Sequence, residues 1–226
     1  MSEVEREVER EAERPSLRRA REVIRGLYAI TPDWDDTSRL VAAVAETLSA
    51  GTRLLQYRNK AASDGKKREQ LGELIPLCRR HGCTLVVNDD WRLALELGVD
   101  AVHVGSDDGD VDAVRREIGP EVILGVSCYA DLERARRLAP AADYLAFGSV
   151  FPSRTKPAAV SAALEMLGKA RTLDRSVVAI GGIDASNATR VIQAGANALA
   201  VISALFGEAS IAKATTELIN LFATAS

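Results

Sequence analysis

Long apolar runs are missing from this sequence. No stretch reaches the roughly 18 apolar residues a spanning helix needs, and the opening MSEVEREVER holds no apolar segment of a secretory leader. These absences predict a cytoplasmic protein with no membrane partner. Aromatic residues are scarce, at 4% against 47% hydrophobic overall, so Ala, Val, Leu and Ile carry the apolar mass. That balance suits layered helices and parallel strands better than an aromatic-rich sandwich. Positive charge is not in excess: the net charge is −3 and the pI near 5.6. Nucleic acid is therefore not expected as a partner, and any anion must be held by a local cluster. Cysteines number three, an odd and unpatterned set that fits a reducing compartment. Cys78, His81 and Cys83 in CRRHGC invite a zinc reading, but the stretch sits where a helix should end at Gly82. Buried thiols beside a helix terminus are the expectation there. With two histidines in the chain, no Ser/His pair stands out, and His103 reads as a satisfied core residue.

Residues 1–22 alternate Glu and Arg, with Glu3, Glu7 and Glu11 each three residues before an Arg. This spacing supports a solvated helix. Its apolar content looks too low to join a core, so residues 1–22 are expected to be an arm, frayed or used in a homo-oligomer contact, and residues 23–226 the catalytic domain. Beyond the arm a rhythm begins. Apolar or β-branched runs occur at 27–30, 53–57, 84–88, 101–104, 122–127, 144–147, 177–180 and 198–202, eight in all. Between them lie helical periodicities such as Leu40, Val44 and Leu48, or Val191 and Ile192 after the start signals from Asp184 to Asn187. Alternating strand and helix demands parallel pairing with right-handed crossovers. Eight units predict a single-domain (β/α)8 barrel. The alternative, an open doubly wound sheet, would carry a glycine-rich turn after the first strand, where this chain has AITPDW.

Chemistry in such a barrel gathers at the strand C-termini. Gln56, Arg58 and Lys60 in LLQYRNK stand two apart, which places them on one face of an extended chain. Asn88, Asp89 and Asp90 follow the third run, Gly105 to Asp108 the fourth, Ser127 ends the fifth, and FPSRTKP follows the sixth. AIGGID and VISAL end the last two, where a glycine turn and a short helix can offer backbone N–H groups to a phosphate. Asp89 and Asp108 on adjacent exits would repel unless protonated or bridged by a cation, for which Mg²⁺ is the usual choice; Asp107 and Asp110 read as structural. Arg58, Lys60 and Lys156 together call for an anion of several charges, since an unpartnered buried charge costs about 3 to 5 kcal/mol. A diphosphate fits. Without an obvious acid or base, the set suggests diphosphate departure followed by attack of a second substrate.

From about Leu27 to Leu205, the ordered motifs QYRNK, NDD, HVGSDD, GVS, FPSRTKP, AIGGI and VISA resemble the thiamine phosphate synthase family. The resemblance implies a (β/α)8 enzyme that joins hydroxymethylpyrimidine diphosphate to a thiazole phosphate with Mg²⁺. It implies that Gln56, Arg58, Lys60 and Asn88 hold the pyrimidine diphosphate and that Asp89 and Asp108 bind the metal. Lys156 would grip the departing diphosphate, and Ser127 would stand near the reacting pyrimidine. Ser153, Thr155, Gly182, Ile202 and Ser203 match the thiazole phosphate contacts. The implied mechanism is dissociative: the pyrimidine amino group helps expel diphosphate, and the thiazole nitrogen captures the resulting cation. Ser106 stands where the family usually has Gln, Ser153 where Thr is common, and FGSVFPS replaces a glycine-proline turn. Small changes in substrate contacts are expected from these. The SRTKP loop is expected to move over the site. Two rivals share the scaffold or the ligand: a thiazole tautomerase, which would need no diphosphate cluster, and a non-catalytic thiamine phosphate binder.

Overall fold

A computed structural model of the protein describes residues 13–151 and 164–224 of the 226. Eight parallel strands close into a barrel in sequence order. They are β1 Gly26–Ile30, β2 Leu54–Tyr57, β3 Thr84–Asn88, β4 Ala101–Val104, β5 Ile123–Tyr129, β6 Tyr144–Gly148, β7 Ser176–Ile180 and β8 Ala198–Val201. All eight expected runs are strands, and the open-sheet alternative falls because β1 pairs with β8, Leu27 opposite Leu199.

Ten α-helices are described: α1 Pro15–Val23, α2 Thr37–Ser49, α3 Asp64–Arg80, α4 Trp91–Glu96, α5 Val111–Ile118, α6 Leu132–Leu138, α7 Leu164–Ala170, α8 Ala188–Gln193, α9 Ser203–Phe206 and α10 Ile211–Thr224. Side-chain caps set several of the starts. Asp36, Ser63, Asp110 and Asp131 accept backbone N–H bonds from Arg39, Lys66, Asp112 and Arg134. Each such cap is worth about 1 kcal/mol. Asp110 is thus structural, as expected.

CRRHGC closes α3 as a helix stop. The Cys83 N–H donates to the Cys78 carbonyl (2.9 Å) and the Gly82 N–H to Arg79 (3.1 Å), with Gly82 at φ +59°. This six-to-one and five-to-two pair of bonds satisfies the last carbonyls of the helix. Cys78 and Cys83 are both buried and free, which agrees with the thiol reading.

The residues fall into two apolar layers. Val44, Leu74, Val102, Leu145 and Leu199 belong to the layer between strands and helices, and alternate strand positions fill the barrel: Tyr28, Leu54, Val86, Ile123, Tyr144, Val178 and Ala200. Period two in a strand produces this split. Gly125 makes the interior possible, because a Cβ there would lie 1.9 Å from the Tyr144 ring.

The expected arm boundary needs correction. Residues 13–22 are not solvated appendage: Ser16, Leu17 and Ala20 of α1 are buried, and Ala20 and Ile24 pack into the interior cluster. Three apolar residues on one face suffice because the barrel supplies the rest of the contact. Arginines also pin the helix, Arg19 to the Asp100 and Glu121 carbonyls and Arg14 to Pro140, Ala142 and Asp143. Residues 1–12 lie outside the described ones.

Candidate active site

Polar residues gather at the C-terminal end of the barrel, each delivered by a strand end. β2 stops at Tyr57, so only Gln56 of the set Gln56, Arg58 and Lys60 projects from the strand, and it turns inward. Arg58 and Lys60 are loop residues, held by the exit of β1. Thr31 Oγ1 donates to the Arg58 carbonyl (2.9 Å) and accepts from its N–H (2.8 Å), while Asp33 accepts from the Arg58 guanidinium (2.8 Å) and the Lys60 N–H (2.9 Å). The single extended face expected for the three residues is therefore broken at Tyr57. Asn59 between them is structural, buried and bonded to the Trp34 carbonyl and Gln70.

Asp89 and Asp108 do come together. Burial first and then the neighbouring Asp108 carboxyl push the Asp89 acid above the usual carboxylate range, while Lys60, 3.4 Å away, opposes the shift. Asp89 sits at φ +66°, a sparsely populated conformation for a residue with a side chain. Its N–H donates to the His103 carbonyl at 2.8 Å, and Asp108 is fixed by the Gly105 N–H at 2.6 Å. Asp90 turns away to cap α4 and pair with Lys67. The expectation of uncompensated cations is corrected as well: Arg58 has Asp33 and Lys60 has Asp89 as partners within the chain.

Asn88 ends β3, half-buried, beside His103 in register. His103 is buried and bonded at both ring nitrogens, to Tyr144 Oη (3.0 Å) and Ser127 Oγ (2.9 Å), which is the satisfied core position expected of it. Burial pushes its pKa down to about 4. An unfolded chain holds histidine near 6.5. The native state thus binds this proton more weakly, and the stability linked to His103 is full above about pH 6.5 and lost as the pH falls through about 4. Urea midpoints at pH 7 and pH 4.5 are expected to separate less in His103→Gln than in the wild type; equal separations would remove His103 as the acid-sensitive group.

At β7 and β8, Gly181 and Gly182 adopt φ +104° and +65°. A Cβ on Gly181 would lie 2.1 Å from Ser149 Oγ and 2.8 Å from its Cα, so only glycine fits. The Gly182 carbonyl accepts from Asn187 Nδ2 (2.9 Å), tying the turn to α8. Ile202 precedes α9 and packs partly against the interior cluster, and Ser203 begins that helix, exposed. Both residues stand at the same barrel end as Gly182. Ser106 exchanges bonds with Tyr129, whose hydroxyl accepts from the Ser106 N–H (3.2 Å) and donates to its Oγ (2.9 Å). Ser153, Thr155 and Lys156 lie outside the described residues, as does the loop motion expected there.

Sequence reasoning passed over Asp33, Tyr28 and Tyr144. Asp33 had a signal, since AITPDW follows the first strand as a polar exit. The tyrosines had only the inward phase of their strands, shared with every other interior residue.

A closed (β/α)8 barrel that gathers a carboxylate pair, paired cations and a glycine turn at the C-terminal ends of its strands has the layout of a barrel enzyme. A family model described as thiamine monophosphate synthase matches residues 27–205, and the chain belongs to that family. It is 49% identical to the thiamine-phosphate synthase of Chromobacterium violaceum over 88% of this chain and 97% of the relative. Against the thiamine-phosphate synthase of Bordetella avium the identity is 53%, over 80% of this chain and 87% of the relative. Among solved structures, thiamine phosphate pyrophosphorylase from Pyrococcus furiosus superposes with a TM-score of 0.79 at 34% identity, covering 94% of this chain and 98% of that one. The protein is an enzyme of the transferase class. No helix among the described residues is long and apolar enough to cross a membrane.

Proposed function

We propose that the enzyme condenses 4-amino-2-methyl-5-hydroxymethylpyrimidine diphosphate with 4-methyl-5-(2-phosphoethyl)thiazole, or its carboxylated form, releasing diphosphate and thiamine phosphate, with Mg²⁺ required. The observation that carries this reading is the Asp89 and Asp108 pair set beside Lys60 at the barrel mouth. Two carboxylates this close ionise together only when a cation bridges them. Their hard oxygen donors suit Mg²⁺, which takes few protein ligands and fills its octahedron with water and phosphate oxygens. Bound there, the ion would neutralise charge on the diphosphate.

The chain's own residues would do the rest. Arg58 and Lys60 would exchange part of their pairing with Asp33 and Asp89 for diphosphate oxygens, so substrate arrival would not expose a bare cation. Gln56 and Ser127, at two ends of the polar interior, would orient the pyrimidine, with Asn88 at its edge. Lys156 would meet the departing diphosphate. Gly182, Ile202, Ser203, Ser153 and Thr155 would hold the thiazole phosphate and aim its nitrogen at the carbon losing diphosphate. Alignment and charge stabilisation would supply the rate, without a separate general base. The same reading has the enzyme in the cytoplasm, working on small molecules, with neither nucleic acid nor membrane as partner.

Incubating both substrates with and without Mg²⁺ and following diphosphate tests the reading. Metal-dependent release together with thiamine phosphate is expected; its absence would leave the tautomerase or the binding protein. Asp89→Asn should raise the Mg²⁺ concentration for half-maximal rate by at least about tenfold. An unchanged requirement would move the ion elsewhere.

A further inference from the structure

Five polar side chains cross the barrel interior in one hydrogen-bonded line. Gln56 Nε2 donates to Tyr28 Oη (2.9 Å), the Tyr28 and Tyr144 hydroxyls meet at 2.9 Å, Tyr144 Oη meets His103 Nδ1 at 3.0 Å, and His103 Nε2 meets Ser127 Oγ at 2.9 Å. The His103 and Tyr144 rings stack with centroids 5.5 Å apart, and Tyr28 packs edge-on to Tyr144 at 6.2 Å. β2, β1, β6, β4 and β5 contribute one member each.

Counting protons gives the line a direction. Each tyrosine hydroxyl and a neutral imidazole has one proton to give. Tyr28 Oη already accepts from the Gln56 amide, so its own proton goes to Tyr144. Were Tyr144 to donate instead, the fully buried Tyr28 proton would meet no acceptor among the described residues, which a buried donor avoids. Tyr144 then donates to His103 Nδ1. A neutral imidazole that accepts at Nδ1 carries its proton on Nε2 and gives it to Ser127 Oγ. The Ser127 proton is last in the line, half-buried in the C-terminal half of β5, with no acceptor among the described residues. Bonds that all run one way polarise one another.

We propose that this line fixes Ser127 as a hydrogen-bond donor into the barrel mouth, so that the heteroaromatic substrate must meet it with a lone-pair acceptor. Tyr28, Tyr144 and His103 are positioning residues that act through Ser127 and Gln56. The identity of that substrate rests on the function proposed above; the direction of the line does not.

The chain has two histidines, so His81→Gln leaves a single imidazole to observe. In that variant labelled with ¹⁵N-histidine, long-range ¹H–¹⁵N spectra are expected to show the Nε2–H tautomer of His103. The Nδ1–H tautomer would reverse the line and overturn the proposal. Tyr144→Phe keeps the ring in the space beside Gly125 and removes the Nδ1 partner, so the fixed tautomer should be lost. It is expected to lower kcat/KM for the pyrimidine diphosphate about tenfold, and Ser127→Ala by about the same. The double variant should fall about tenfold as well, because both changes silence one donor; about a hundredfold would mean independent effects and overturn the coupling. Tyr57→Phe removes an equally buried hydroxyl outside the line, bonded to Gln70 at 2.8 Å. It should leave the tautomer and kcat/KM unchanged; if it moves them as Tyr144→Phe does, packing is the cause and the proposal falls. Should the wild type release no diphosphate, the reaction reading fails while the tautomer still reports the direction of the line.

Discussion

Lys156→Ala is expected to slow diphosphate release by about 10² to 10³-fold, the usual loss when one preorganised stabiliser of developing charge is removed. The barrel mouth makes the expectation specific. Arg58 and Lys60 already have carboxylate partners in Asp33 and Asp89, and Asp33 also holds the Lys60 backbone in place. Those two cations must divide their charge between protein and substrate. Lys156 follows β6 in the sequence, and its proposed role is charge that strengthens as the bond to diphosphate breaks. A single-turnover time course of diphosphate release measures this directly. A loss in kcat with little change in KM is expected, because the interaction grows between ground and transition state. A change below tenfold would mean that Lys156 does not meet the leaving group.

Asp143→Ala should cost about 3 to 5 kcal/mol of stability, the range for removing one partner of a buried charged network. Asp143 has no exposed surface and directly precedes β6. Its carboxylate accepts from Arg115 Nη2 (2.5 Å), Arg14 Nη2 (3.2 Å) and the Leu124 N–H (2.8 Å). Without it, the Arg115 guanidinium, whose pKa burial already lowers, would be left among carbonyls, and a strand N–H would lose its acceptor. Arg14 would lose an anchor, loosening α1 beneath the barrel. Urea unfolding followed by circular dichroism gives the cost, and a loss under 1 kcal/mol would show that the carbonyl bonds of Arg115 suffice. Asp143→Asn should be milder, since an amide oxygen still accepts from Leu124. Neither variant should alter substrate selectivity, because the network lies at the base of the barrel, away from the mouth.

These two sites differ in how far the sequence exposed them. Lys156 stands out in the sequence as a cation in the polar stretch FPSRTKP after an apolar run, and its role is a proposal. Asp143 was not, because nothing in PAADYLAF separates a buried hub from an ordinary strand cap. The carboxylate pair was legible in the same way as Lys156: strand exits can be read from a period, and two acids on neighbouring exits must meet once the strands are parallel and adjacent. The interior hydrogen-bonded line was hidden. Its members are separated by up to 116 residues along a single link, and each looked locally like one more inward strand position.

By itself the sequence determined the number, order and phase of the strands, because backbone geometry imposes period two on strands and near 3.6 on helices, and apolar residues must follow it. It also determined which polar residues leave the strands at one end. Only the tertiary structure decided which of them balance one another. Asp33 reaches Arg58, Tyr28 reaches Tyr144, and α1 reaches the interior only after β8 closes on β1. The physical reason is that charge pairing and hydrogen bonding act over about 3 Å in space, and distance in space is set by closure of the barrel rather than by spacing along the chain.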